Sequence, residues 1–357
     1  MAKRLSVKNL SNFCISTLEN AGMPSSDART VADVLVMTDT WGTFSHGTGA
    51  LRNYLKSLRA GGMNPRSKPK VVAEGNNWAL IDGDSGMGML GACLAMNTAI
   101  EKARTQAITW AGVRNSNHFG AAGYYATMAV RNDMLGIAMS NADPNMVIPG
   151  ARGRIIGNNP LAYAVPAAEE HPIMLDIALS AVAAAKIIAM KERKEPIPSN
   201  WLTDAEGMPV DEVGDWPASG AMAPMAGHKG YGIALLIETL AALLPGANVL
   251  DEAKSWVENP AGASGLGHAF VVINPGIMMP IDDFKRRVDV MIRKLRGAPK
   301  AKSSRRVYLP GEMEWEHREN AIAKGIPLPA HVLASLHDAA RYFSLDAGLL
   351  KTEEMED

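Results

Sequence analysis

Two histidines fall in loops suited to moving a proton. His118 lies in Asn115-Ser116-Asn117-His118-Phe119-Gly120, between a strand-like run, Ile108–Arg114, and a helix-forming run, Ala121–Ala129. An imidazole at such a junction stands near a helix N-terminus and titrates close to neutrality, so His118 is the best-placed acid/base in the chain. A histidine that only closes the turn is the other reading. His46 lies in Thr43-Phe44-Ser45-His46-Gly47-Thr48-Gly49. With Ser45 as N-cap, the spacing predicts a helix on to Leu58, stopped by Gly61-Gly62. That helix would carry His46, Ala50 and Tyr54 on one face and turn Arg52 away from it. Gly227-His228-Lys229-Gly230-Tyr231-Gly232 precedes an apolar helical run, Ile233–Leu244. Glycines there let backbone N–H groups approach an anion beside Lys229, or make a tight turn under a solvated lysine.

These groups need a scaffold, and the stretch 136–186 is its centre. Gly136–Met139, Leu161–Val165 and Ile173–Ile177 are short apolar runs that read as buried strands. Ser140–Asn145 and Gly157–Pro160 are polar loops between them, and Asp176 closes the third strand before a helix-forming run, Ser180–Lys186. Strand ends that release polar loops on one side of a sheet are where α/β proteins keep ligands, although ordinary connections would look the same. Upstream, Leu5–Thr40 reads as two helices broken at 22–26, with Ser26 capping the second, and Val71–Asp84 as a hairpin. Gly86-Met87-Gly88-Met89-Leu90-Gly91 matches a dinucleotide fingerprint, but its two methionines and the polar strand before it weigh against a phosphate role. Downstream, 201–225 reads as a long loop, 267–274 as a strand, 330–343 as a terminal helix and the acidic tail 351–357 as mobile.

A chain of 357 residues exceeds what one core usually supports, so two subdomains are expected. A net charge of -1 gives no reason to expect nucleic acid or a membrane as partner. The basic run from Phe284 to Arg306 carries an apolar stripe and reads as a surface helix. Only Cys14 and Cys93 are present, and no apolar run reaches membrane-spanning length, so a cytoplasmic protein is expected.

In order along the chain, Ser45-His46-Gly47 with Tyr54, Asn117-His118-Phe119-Gly120, Ser140-Asn141, Gly157-Asn158-Asn159-Pro160, Leu175–Ser180, Gly227–Gly232 and Pro310-Gly311-Glu312 resemble the malate/L-lactate dehydrogenase family that lacks the usual Rossmann domain. The family includes ureidoglycolate, sulfolactate and 2,3-diketo-L-gulonate dehydrogenases and Δ1-piperideine-2-carboxylate reductases. The resemblance implies an α/β fold with a non-Rossmann mixed-sheet nicotinamide-binding domain, 76–296, and a mainly helical domain from both chain ends, 1–75 plus 297–357. It implies a homodimer that uses NAD or NADP, without a metal, to oxidise a small 2-hydroxy acid or reduce a 2-keto acid. His118 and His46 would be catalytic, with Ser45, Tyr54, Asn141 and Asp143 against the substrate. Ser140, Asn159, Asp176, Ile177, Ala178, Lys229 and His268 would lie against the cofactor. Asp143 is also a candidate to orient a histidine. Where family members commonly carry an arginine four residues after the motif histidine, this chain has Ala50, which leaves the acid open. Other readings are a cyclic imino-acid reductase, a metal-dependent hydrolase built from His46, His118, Asp143, Asp176 and His268, and a catalytically silent binding protein.

Overall fold

The computed structural model describes residues 3–354. Its centre is a seven-stranded mixed sheet of β1 (Lys70–Glu74), β2 (Trp78–Asp82), β3 (Ile108–Ser116), β4 (Leu135–Ser140), β5 (Leu161–Val165), β6 (Ile173–Ile177) and β7 (Leu266–Ile273). The spatial order is β1-β2-β3-β7-β4-β5-β6. Only β2 and β3 are parallel; every other neighbouring pair is antiparallel. This is not the doubly wound parallel sheet of a Rossmann domain.

Alternation along the strands fixes the two faces. Ala111, Val113, Ala138, Phe270 and Val272 share the main core with helices α4 (Gly88–Ala103) and α5 (Ala122–Val130). Trp110, Met139, Ala269 and Val271 face the other way, toward helix α7 (His228–Glu238). Small residues let the layers approach closely. A Cβ at Gly136 would sit 2.5 Å from the Ala126 carbonyl oxygen of α5.

Both chain ends build the helical side. Helices α1 (Val7–Asn20), α2 (Ser25–Thr40), α3 (Leu51–Ala60), α9 (Glu312–Lys324) and α10 (Ala330–Phe343) surround the core contributed by Leu10, Phe13, Val31 and Leu35. Leu5 and Ile326 exchange backbone hydrogen bonds, and Lys3–Arg4 pairs with Glu353–Glu354. The rest of the acidic tail, 355–357, lies outside the described residues. Helix α8 (Ile281–Arg296) carries the basic run; it buries Val288 and Ile292, while Arg293 and Arg296 pair with Glu169, Glu170 and Glu312. Among the described residues no helix is long and apolar enough to cross a membrane.

Several local expectations are corrected. The segment after Ser45 is not one helix: Thr48–Ala50 form a 3-10 turn and α3 starts at Leu51, so His46 precedes the helix and does not stack over Ala50 and Tyr54. The cause is Asp39 of α2, whose carboxylate accepts the Thr48 N–H at 3.1 Å and the Thr48 hydroxyl at 2.5 Å and holds the turn down. Pro24, not Ser26, stands at the start of α2. Helix α6 (Ala184–Arg193) begins later than Ser180, because Leu179 N–H and Ala181 N–H bond to Asn158 and Ala223 carbonyls. The run 201–225 holds a small sheet of Leu202–Thr203, Pro209–Val210 and Ala221–Met222. The fingerprint glycines serve packing. A Cβ at Gly88 would lie 2.1 Å from the Asn117 carbonyl oxygen, so glycine lets α4 start against the His118 loop.

Candidate active site

The His118 loop is pinned at its root. Asn117 is fully buried; its amide donates to the carbonyls of Ser85 and Gly86, each at 2.9 Å, and its Oδ1 accepts the Ser264 N–H. From that anchor the His118 ring projects between Tyr54 and Trp256. Tyr54 Oη lies 2.5 Å from His118 Nδ1, and the Trp256 indole stacks on both rings, at 4.7 Å from His118 and 4.6 Å from Tyr54. Trp256 is held in turn by its carbonyl, which accepts the Ser57 hydroxyl of α3. The His46 ring stands 5.6 Å from His118, centroid to centroid, with Ser45 Oγ 3.0 Å from its Nδ1. Two imidazoles 72 positions apart in sequence therefore share one site.

They form the wall between two cavities. The larger, about 490 Å³, runs past Ser140–Asp143 and Asp176–Ala178, at the ends of β4 and β6. The smaller, about 400 Å³, lies toward α3 and α10 and is lined by Ala50, Asn53, His331 and Ser335 together with both histidines. Strand ends supply the first and helix faces the second, so one residue pair borders both cavities.

Crowding sets the charge states. Burial, then the positive potential of His46 and His268, holds His118 well below the usual histidine range. Burial also lowers His46, whose ring is surrounded by protein although open to the cavities. Burial raises the Tyr54 phenol. Asp176 opens onto the cleft yet is pushed up to about 6 by the protein around it, against the Gly123 N–H that it accepts at 2.7 Å. Asp143 is raised by burial, and its partner is Ser255. The shifts of His118 and His46 both disfavour the charged rings.

Ser45, His46, His118, Ser140, Asn141, Asp143, Asp176, Ile177 and Ala178 all line the larger cavity. Tyr54, Asn159, His268 and Lys229 do not. Tyr54 stands behind His118. Asn159 is buried under the cleft loop, where it accepts the Ala142 N–H and donates to Glu238. His268 is fully buried between Ser140 Oγ (2.8 Å) and Ser116 Oγ (2.9 Å) and stacks on Phe119 at 4.5 Å, one layer beneath the cleft. Burial takes it down to about 3. Lys229 is exposed on the first turn of α7. Asp143, the candidate to orient a histidine, has Ser255 as its partner, while Tyr54 Oη and the Gly120 N–H are the groups at His118 Nδ1. Trp256, Glu314 and His331 line the cavities and were missed, lying outside any local motif; Asn145 and Asn158, within the polar loops named above, were not singled out. Asn145 Oδ1 is buried without a hydrogen-bond partner among the described residues, an acceptor that suits the N–H groups of a carboxamide ligand. No group of three or more His, Cys, Asp or Glu among the described residues could hold a metal ion.

A family model described as malate/L-lactate dehydrogenase matches residues 5–337. A malate dehydrogenase of Pyrococcus abyssi is 35% identical over 95% of this chain and 94% of its own length. A ureidoglycolate dehydrogenase (NAD(+)) of Escherichia coli K12 is 29% identical over 95% and 96%. The solved structure of sulfolactate dehydrogenase from Methanocaldococcus jannaschii superposes with a TM-score of 0.89 at 33% identity, covering 97% of this chain and 98% of that one. A family match along nearly the whole chain, with the histidine pair at its centre, means that the chain belongs to the malate/L-lactate dehydrogenase family of oxidoreductases.

Proposed function

We propose that this chain moves a hydride between NAD or NADP and a small 2-hydroxy acid or its 2-keto acid, with His118 as the general acid/base. The observation that carries the reading is the His118 ring, held by Tyr54 and Trp256 at the wall between two cavities and facing His46. A nicotinamide cofactor supplies or accepts the hydride when bound. The larger cavity suits it, with the unpartnered Asn145 Oδ1 in its wall and the Ser140–Asp143 backbone along one side. In oxidation, His118 takes the hydroxyl proton while its Nδ1 keeps its contacts with Tyr54 Oη and the Gly120 N–H; in reduction, the ring returns the proton to the carbonyl oxygen. His46 and Ser45 hydrogen-bond the substrate's oxygens. His268 and Asn159 act from behind, fixing Phe119 and the Ala142 loop.

The relatives' names support the hydroxy-acid class, and one of them names NAD. A two-unit division, with the helical unit drawn from both ends, is supported by the meeting of Leu5 with Ile326. A homodimer is supported by the exposed apolar strip Ile233, Leu236, Leu243 and Leu244 at α7 and the π-helical turn after it. The test is His118→Asn, assayed with a panel of 2-keto acids and beside a fluorescence titration with NADH. Turnover should fall by roughly 10²–10⁴ with NADH binding kept. A folded variant with near-normal turnover refutes the role.

A further inference from the structure

The smaller cavity has an uncommon charge balance for an enzyme of acids. Neither it nor the larger cleft is lined by a lysine or an arginine. The carboxylates of the cleft wall are Asp143, Asp176 and Glu314. Arg154, whose charge reaches Asp143, is paired with Glu258. Arg52, two residues beyond Ala50, is exposed and lines a separate groove against Asp338 and Tyr342. The substrate side of the histidine pair therefore offers neutral hydrogen-bond groups and apolar walls. Asn53 and Ser335 make no side-chain hydrogen bond among the described residues, so both are free for a ligand. Phe44, Val257 and Val332 add apolar lining, His331 stands at the same wall, and at Ala50 a methyl group leaves the space that a longer side chain would fill.

Taking the reading above as its basis, we infer that the preferred substrates are 2-hydroxy and 2-keto monocarboxylates with an uncharged side chain, and that a second anionic group is selected against. One carboxylate can be held by the Asn53 amide, the Ser335 hydroxyl and a ring N–H of His46. A second anionic group meets no lysine or arginine in either cavity, with His331 as the further titratable group on the substrate side, and a poorly paired charge in such a place is strongly penalised. About 400 Å³ leaves room for an aliphatic substituent. Malate and sulfolactate, for which relatives are named, each carry two anionic groups, so the inference separates this chain from them.

The test compares kcat/KM for reduction of pyruvate, 2-oxobutyrate and 2-oxo-4-methylpentanoate with that for oxaloacetate and sulfopyruvate, using the full chain with NADH and with NADPH. The uncharged side chains should win by roughly 10², the scale on which an unpaired buried charge is disfavoured. Ala50→Arg places a guanidinium in the cavity and should raise kcat/KM for oxaloacetate about tenfold. Ser335→Arg, at a half-buried position, does the same should the buried Ala50 site not tolerate the larger side chain. Oxaloacetate or sulfopyruvate as the better substrate of the unaltered chain overturns the inference and leaves the hydride-transfer reading standing. A ratio unchanged in both folded variants overturns the assignment of this cavity to the substrate side chain. No turnover of any acid with either cofactor overturns the hydride-transfer reading, and the inference with it.

Discussion

Tyr54→Phe removes one oxygen from the proton-handling centre and leaves its packing. Tyr54 is fully buried, stacks on Trp256 at 4.6 Å, and meets the rest of the site through the 2.5 Å contact of its hydroxyl with His118 Nδ1. Phenylalanine keeps the ring stack, so folding stability should fall by no more than about 1.5 kcal/mol, the worth of a neutral hydrogen bond. Catalysis should suffer more. As His118 takes the substrate's proton it becomes cationic, and a hydrogen bond to a charged group is worth about 1.5–3 kcal/mol. Losing it lowers kcat/KM for oxidation by roughly 10–10² and takes His118 further down. The sign is fixed: burial already holds His118 below the usual histidine range, and the variant disfavours the charged ring further. The acid limb of kcat/KM for oxidation therefore moves to lower pH while the plateau drops. The assay is a pH profile from about pH 5 to about 9 for both proteins, with thermal melts alongside. A plateau within twofold of the parent, with an unmoved limb, refutes the claim that Tyr54 acts through His118.

Other consequences follow from the turn beneath His46. A Cβ at Gly47 would lie 2.0 Å from Asp39 Oδ1 and 3.0 Å from the Leu35 carbonyl oxygen, so Gly47→Ala must shift the loop that carries His46. The cost should be about 1–3 kcal/mol in thermal stability, with a larger fractional loss of kcat/KM than the melt accounts for. Asp39 itself is pushed up to about 7 by burial. A carboxyl raised in the folded state contributes stability that is complete below its unfolded pKa and lost as pH rises through the folded one. Denaturant unfolding should show Asp39 weakening the fold between about pH 4 and about pH 7, by up to about 4 kcal/mol, and Asp39→Asn should remove that slope. The comparison must be between the two proteins at each pH, because buried His268, taken down to about 3, works in the opposite sense over much of the same window.

The strands of the sheet were legible because burial on two faces leaves a period-two record, and β4, β5 and β6 appear within a residue or so of their apolar runs. His118 was legible for a local reason: a strand, a polar loop and a helix in sequence place its ring at a strand end. The helix through His46 was not. Propensity and spacing favour it, but a long-range contact, Asp39 to Thr48, replaces its first turn, and a buried aspartate inside α2 leaves no mark in a periodicity analysis. Trp256 was invisible for the same kind of reason. It sits in an irregular loop and becomes part of the site through the stacking that brings it to α3 and the His118 loop. Lys229 stands exposed on the first turn of α7, outside the lining of the larger cleft.

What orients the central imidazole bears on how the site works. A carboxylate hydrogen-bonded to a histidine favours the charged ring and raises its pKa. Here two of the cleft's three carboxylates are engaged elsewhere, Asp176 on the Gly123 N–H and Asp143 with Ser255. The groups against His118 are a phenol, an indole and a second imidazole. None of these supplies a negative charge, so burial disfavours the charged ring. A neutral base is ready for an alcohol's proton, whereas the reverse reaction must first draw a proton into the cavity. On the proposed acid/base reading, Tyr54 in place of a carboxylate would favour oxidation at neutral pH. It also keeps one more negative charge away from an acid substrate in a cleft whose lining offers no cation.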